Sequence, residues 1–134
     1  MLLPQSTPSE YQRAFSEIAQ EQPDAIIVSG IAQIYAYRRL IVELVEKNRL
    51  PAMYPSPARD WVEAGGMMAY GTDYAELWRR LADDVHQVLN GAKPADIPIY
   101  QPIKYEFLIN LKAARAIDLN LPPALLGVAD EVIE

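Results

Sequence analysis

Ala25-Ile26-Ile27-Val28-Ser29-Gly30 is a short, uninterrupted apolar run closed by a turn. Four apolar residues without alternation suit a strand buried on both faces of a parallel sheet, with helices on either side. The flanking sequence supplies those helices. Upstream, Thr7-Pro8-Ser9-Glu10 combines a capping hydroxyl, a proline at the first helical position and an acid three residues after the cap. Tyr11, Phe15, Ile18 and Ala19 then recur at helical spacing until Pro23. Downstream, Ile34, Tyr37, Ile41, Leu44 and Val45 form the apolar stripe of a helix predicted over 31–48, with Arg38, Arg39, Glu43 and Glu46 on its wet side.

The alternation of strand and helix continues. Pro51-Ala52-Met53-Tyr54 reads as a second strand, and Ser56-Pro57 opens a short helix that carries Trp61 and Val62 and stops at Gly65-Gly66. Met67-Met68-Ala69-Tyr70 is a third strand closed by Gly71. Asp73-Tyr74-Ala75-Glu76 has the spacing of a capping box. The helix it opens, 74–89, places Tyr74, Leu77, Trp78, Leu81, Val85, Val88 and Leu89 on one face and ends at Asn90-Gly91. A proline-bearing connection leads to a fourth strand over 105–109, a helix over 111–117 and a last short helix starting at Leu121-Pro122-Pro123. The pattern predicts one α/β domain over residues 1–134, a three-layer sandwich with a mainly parallel sheet.

Composition narrows the function. The chain has 134 residues with no cysteine and one histidine, which excludes a disulfide scaffold and any site built from several Cys or His ligands. The net charge of −6 argues against nucleic acid and anionic membrane as partners. No apolar run reaches the roughly 18 residues of a membrane span. Met1 to Pro8 lacks the basic start and apolar stretch of a signal peptide, so the chain as written is expected in the cytoplasm. The 11 prolines mostly punctuate the elements.

In an open parallel sheet, ligands bind beyond the carboxyl ends of the strands. Three such ends are placed by the pattern: Ser29-Gly30-Ile31, Tyr54-Pro55-Ser56 and Tyr70-Gly71-Thr72-Asp73-Tyr74. Each opens a helix, whose first N–H groups can hold an acceptor, and their tyrosines and serines can stack on and hydrogen-bond a small ligand. Taken as fold alone, the same residues are turns and caps. No catalytic, metal or cofactor site emerges. The Gly-x-Ser-x-Gly elbow and the phosphate loop are absent, His86 lies mid-helix among Asp83, Asp84 and Gln87, and the adjacent Asp83 and Asp84 diverge around their helix. Trp61 and Trp78 read as packing residues.

Several stretches in order resemble the C-terminal half of bacterial ABC-transporter substrate-binding proteins, the subfamily that includes tryptophan/tyrosine-type receptors. They are Asp24–Gly30, Arg38–Leu44, Leu50–Tyr54, Val62–Gly71, Leu89–Pro98, Phe107–Lys112 and Ala129–Ile133, and the likeness covers about residues 9–134. The resemblance implies one lobe, with crossover elements, of a periplasmic-binding-protein fold of type I. It implies a solute-binding component of ABC import that binds a small molecule without catalysis or cofactor and docks on a membrane permease. It also implies a periplasmic location. Ser29, Gly30, Ile31, Tyr54, Ser56, Tyr70, Gly71, Asp73 and Tyr74 become candidate ligand-wall residues. Amino-acid-binding members carry Asp or Asn in the turn after the first strand. The turn here is Ser29-Gly30-Ile31-Ala32, which favours a less cationic or more apolar ligand.

Such receptors have two lobes, so one wall by itself is expected to bind weakly. By analogy the 74–89 helix would pack on the other lobe. In its absence the expectation is a homo-oligomer through the Tyr74–Leu89 helix. The alternative functional reading is a stand-alone homo-oligomerising interaction or sensor domain of the same fold. A small α/β enzyme, such as a flavodoxin-like reductase or a hydrolase, is a third, and the hydrolase would need Ser29 and His86 to meet.

Overall fold

The Thr7 N–H donates to Glu10 Oε2 at 3.2 Å, so the acid spaced three residues after the cap does reach back over the start of the first helix. In the computed structural model, which describes residues 7–134, helix α1 (Pro8–Glu21) follows this cap and ends at Gln22 in the left-handed region, φ 49°. The chain then runs through β1 (Ile26–Ile27), α2 (Ala32–Ala36), α3 (Arg38–Lys47), β2 (Ala52–Tyr54), α4 (Ala58–Glu63) and β3 (Met68–Thr72). After these come α5 (Tyr74–Leu89), a 3₁₀ turn at Pro94–Asp96, β4 (Tyr105–Asn110), α6 (Leu111–Ala116), α7 (Pro123–Leu126) and β5 (Glu131–Ile133).

The five strands form one sheet in sequence order. β1, β2 and β3 are parallel, β4 is antiparallel to β3, and β5 is parallel to β4. The fold is therefore the expected α/β arrangement with a mainly parallel sheet. Strand β5 was not expected as a strand: only three residues long, it carries too little pattern to announce itself, and its pairing with β4 is what makes it one.

The main core lies on one face of the sheet. Ala52, Tyr54, Ala69 and Leu108 pack there against Tyr11 and Phe15 of α1, Ile41, Val42 and Val45 of α3, and Trp61 and Val62 of α4. Trp61 is fully buried and stacks on Tyr54 at 4.9 Å. Burying each such side chain stabilises the fold by about 1.5–3 kcal/mol. Gly66 permits that stack, since a Cβ there would stand 2.8 Å from Tyr54 Cε2.

The helix expected over 31–48 is two helices. They meet at Tyr37, whose φ of −104° and ψ of 21° leave the α region. The break sets the ring of Tyr37 against Tyr11 at 5.3 Å and turns the Tyr35 hydroxyl toward the Asp60 carboxylate, to which it donates a hydrogen bond. The sequence stripe is periodic across the break, so periodicity alone reads it as one helix.

The opposite sheet face is covered unevenly. Helix α6 stays on the core side, where Ala113 and Ile117 lie beside Val42, Val45 and Tyr54 and Asp118 pairs with Arg49. Cover does not extend over β1: Ile27 is 87% exposed, against the expectation of a strand buried on both faces. Tyr70 and Tyr105 are also exposed. Among the described residues, no helix is long and apolar enough to cross a membrane.

Candidate functional site

The three expected strand ends converge. Gly30, after β1, lies against Pro55, after β2, with 3.4 Å between an ideal Gly30 Cβ and Pro55 Cβ. Ser56 then meets β3, and its hydroxyl donates to the Thr72 carbonyl at 3.3 Å. Gly71 makes this contact possible, because a Cβ at that position would fall 2.0 Å from Ser56 Oγ and 2.6 Å from Ser56 N. β3 therefore runs through Gly71, rather than ending there, because the glycine is the point at which two strand ends press together.

The nine expected wall residues take different places. Ser29, Gly30 and Ile31 are exposed, and Ile31 precedes α2 as its cap residue. Ser56 and Gly71 are half-buried against each other, and Tyr70 stands exposed on the sheet face. Tyr74 is 38% exposed in the first turn of α5. Tyr54 lies in the core at 1% exposure, where burial raises its phenol pKa, so it supports the strand end from beneath.

Asp73 is buried and fully engaged. Its Oδ1 accepts from the Glu76 N–H at 3.1 Å, and its Oδ2 pairs with Lys104 Nζ at 2.8 Å. Lys104 first, and then the Glu76 N–H, hold its carboxyl below the usual carboxylate range. The start of α5 is thus filled by the chain's own carboxylate. The expected capping box is only half made, since the Glu76 carboxylate turns away to accept from the Tyr100 hydroxyl at 2.7 Å.

Beside the strand ends lies an open trough of about 670 Å³ on the less covered sheet face. Its floor includes Ile27, Met53, Tyr70 and Phe107, with Val128 and Asp130 at the rim. Tyr70 and Tyr105 stack at 5.6 Å with their planes 11° apart, and Phe107 meets Tyr70 edge-on at 6.3 Å. Asp130 fixes that strand: Phe107 N–H donates to its Oδ2 at 2.7 Å, and its own N–H donates to the Phe107 carbonyl at 2.8 Å.

Sequence reading missed Tyr105, Phe107, Val128 and Asp130. The antiparallel register, Tyr70 opposite Phe107 and Thr72 opposite Tyr105, finds the first two, and the hydrogen bonds between Asp130 and Phe107 bring in the fourth; no local pattern states either. Elsewhere His86 is exposed on α5 and bonded to Asn90, away from the strand end that holds Ser29. Among the described residues, no group of three or more His, Cys, Asp or Glu gathers to hold a metal ion.

Comparison with known proteins places these features in a family. Over 95% of its length the chain is similar, at 27% identity and a TM-score of 0.81, to an ABC domain from Streptococcus pneumonia solved in complex with L-Trp. It has the fold of a conserved domain protein from Vibrio cholerae, with 22% identity over 94% of the chain and a TM-score of 0.79. The same fold occurs in the ligand-free, open form of a substrate binding protein with adhesive properties from Clostridium difficile, with 17% identity over 96% and a TM-score of 0.64. The chain spans 42%, 43% and 41% of the Vibrio, Streptococcus and Clostridium chains, less than half the length of each. No curated protein matches it. The family model described as ABC transporter substrate binding protein matches residues 6–133, nearly the whole chain, and the chain belongs to that family.

Proposed function

We propose that this chain supplies one wall of a solute site in an ABC import system, at the carboxyl ends of β1, β2 and β3. Ser29, Gly30 and Ile31 offer backbone and hydroxyl groups from the first end. Ser56 and Gly71 form the floor between the second and third, with Tyr54 behind them. Tyr70 lends an aromatic face, while Asp73 and Tyr74 border the wall at the start of α5. The observation that carries the reading is the convergence of the three ends, Gly30 on Pro55 and Ser56 on Gly71, beside the stacked Tyr70–Tyr105 pair.

The ligand is a small molecule with a planar or apolar part. Stacked tyrosines recognise such a part, and no charged residue stands in the Ser29-Gly30-Ile31-Ala32 turn to select a cation. The L-Trp held by the Streptococcus relative agrees with that class. The family is typically non-catalytic and its members are usually periplasmic or extracytoplasmic. An extracytoplasmic location and docking on an ABC permease follow for a receptor that contains this wall.

A closed site buries about 70–90% of its ligand, and one wall buries far less, so binding by this chain is weak. The test is an amide NMR titration with L-Trp and with neutral aromatic compounds. Saturable shifts confined to Ser29–Ile31, Ser56 and Tyr70–Thr72, and lost in Tyr70→Ala, are the expected result. No shift at millimolar ligand, or shifts centred on α1 and α7, would overturn the assignment.

A further inference from the structure

Helix α2 carries the first strand end into the fold, yet none of its residues is buried. Non-helical residues bound it on both sides. Ile31, with φ −82° and ψ 147°, precedes it, and the break at Tyr37 follows. Five residues are too few for a helix to stand on its own backbone hydrogen bonds. What α2 touches therefore decides where Ser29, Gly30 and Ile31 lie.

Among the described residues, two side-chain hydrogen bonds reach α2. The Tyr11 hydroxyl donates to the Gln33 carbonyl at 3.3 Å, a long bond between neutral groups. The Tyr35 hydroxyl donates to the Asp60 carboxylate, and a charged acceptor makes this the stronger of the two. Asp60 stands in the first turn of α4, the helix that follows the second strand end. Helix α4 is anchored where α2 is not, since its Ala58, Trp61 and Val62 are buried in the core. The Tyr35–Asp60 bond thus ties a loosely held helix to a firmly held one, and it joins the helices that leave the first two strand ends.

The neighbours of Tyr35 hold its ring in place. Arg38 lies over the ring at 4.7 Å, and Trp61 meets it edge-on at 6.2 Å. The bond to Asp60, and then burial, raises the Tyr35 phenol pKa, so the hydroxyl keeps its proton and donates at neutral pH. Nearer the strand ends, Gly30 rests on Pro55. Glycine has no side chain to grip with, so that contact limits how near the two ends come without holding them together.

We propose that Tyr35 and Asp60 are positioning residues: their hydrogen bond holds α2 against α4 and so sets the gap between the Ser29–Ile31 end and the Pro55–Ser56 end. They act through the strand ends rather than on the ligand. The role deepens the solute-site reading and rests on it. Without the bond, α2 swings about Ile31 and Tyr37, and the first strand end moves while α4 and the second end stay in place. Loss of a hydrogen bond to a charged acceptor raises the share of open molecules about tenfold or more.

Tyr35→Phe removes the hydroxyl and leaves the ring for Arg38 and Trp61. In the free chain, millisecond relaxation dispersion is expected to appear at the amides of Ser29–Ala36 in Tyr35→Phe and in Asp60→Ala, and no more strongly in the double variant. Asp60→Asn keeps an acceptor oxygen and is expected to show less than half the effect. Ile109→Val, which trims a fully buried side chain on β4, is expected to show none. With L-Trp as the probe, Kd is expected to rise at least about threefold in Tyr35→Phe and Asp60→Ala alike and to keep the parent value in Ile109→Val. A bond that only stabilised the fold would not give that split. Dispersion that is absent from Tyr35→Phe, spreads over the whole sheet, or grows in the double variant overturns the proposal, and so does dispersion with an unchanged Kd. A parent chain that gives no L-Trp shifts overturns the solute reading instead, and dispersion in the free chain still decides whether the pair holds α2.

Discussion

Substituting Gly71 by Ala tests the convergence of strand ends on which the site rests. The added methyl would stand 2.0 Å from Ser56 Oγ, 2.6 Å from Ser56 N and 2.9 Å from Ser56 Cα. Ordinary carbon contacts lie near 3.5 Å, so Ser56 and Gly71 must separate by roughly 1 Å or more. A serine hydroxyl can rotate away, but the Ser56 backbone cannot. Overpacking costs about 1–3 kcal/mol, and a clash with main chain falls toward the upper end, near 3 kcal/mol. Alanine in place of glycine within a strand returns about 0.5–1 kcal/mol of that, leaving a net loss of about 2 kcal/mol. For a chain of this length the loss lowers Tm by about 6–10 °C.

The double variant Ser56→Ala/Gly71→Ala removes only the Oγ contact, so it recovers less than half of the loss. Ser56→Ala alone breaks the hydrogen bond to Thr72 and costs about 0.5–1 kcal/mol. Thermal unfolding followed by circular dichroism measures all three variants. A Gly71→Ala melt within about 1 °C of the parent would refute the reasoning, because the strand ends would then have room for a side chain. So would full rescue by Ser56→Ala, which would show that the clash involves only a rotatable hydroxyl.

Two further substitutions probe the supports of the site. Asp73→Ala removes the α5 cap and the Lys104 pairing; the cap alone is worth about 1 kcal/mol at neutral pH. Because the folded-state pKa of Asp73 is depressed, its contribution is present above the unfolded value near 3.9 and is lost as pH falls through the folded value. The Tm gap between parent and variant therefore closes below about pH 4, and a gap that stays constant into stronger acid would refute the ion-pair account. Trp61→Ala opens a cavity under β2 and should cost about 3–5 kcal/mol. Trp61→Phe should cost much less, because it also removes an indole N–H that meets no acceptor among the described residues, a defect worth about 1–3 kcal/mol. Equal losses in the two variants, read from urea unfolding midpoints, would disprove that balance.

Order and type of element were written in the chain. The apolar run at Ala25–Val28, the caps at Thr7 and Asp73 and the stripe of α5 follow from local rules of capping and periodicity, which act within a few residues. The three strand ends followed as well, because a βα turn is a local event. Sequence alone therefore determined an α/β chain, the positions of its candidate wall residues, and the absence of cysteine-based or multi-histidine chemistry.

Tertiary structure decided what lies beside what. The antiparallel entry of β4 put Tyr105 and Phe107 next to Tyr70, and the pairing of residues more than thirty apart leaves no trace in local pattern. Burial divided Tyr54 from Tyr70, two tyrosines at equivalent strand ends: one stacks on Trp61 in the core, the other stands in the open trough. The α5 stripe shows the limit most plainly. Its periodicity says that one face is apolar, but only packing shows which residues are covered, and here the returning segment engages Glu76 and Arg80 and lies near Val85 and Val88, while Trp78 and Leu81 stand exposed. A pattern specifies that a surface must be covered; the position of every other element determines what covers it.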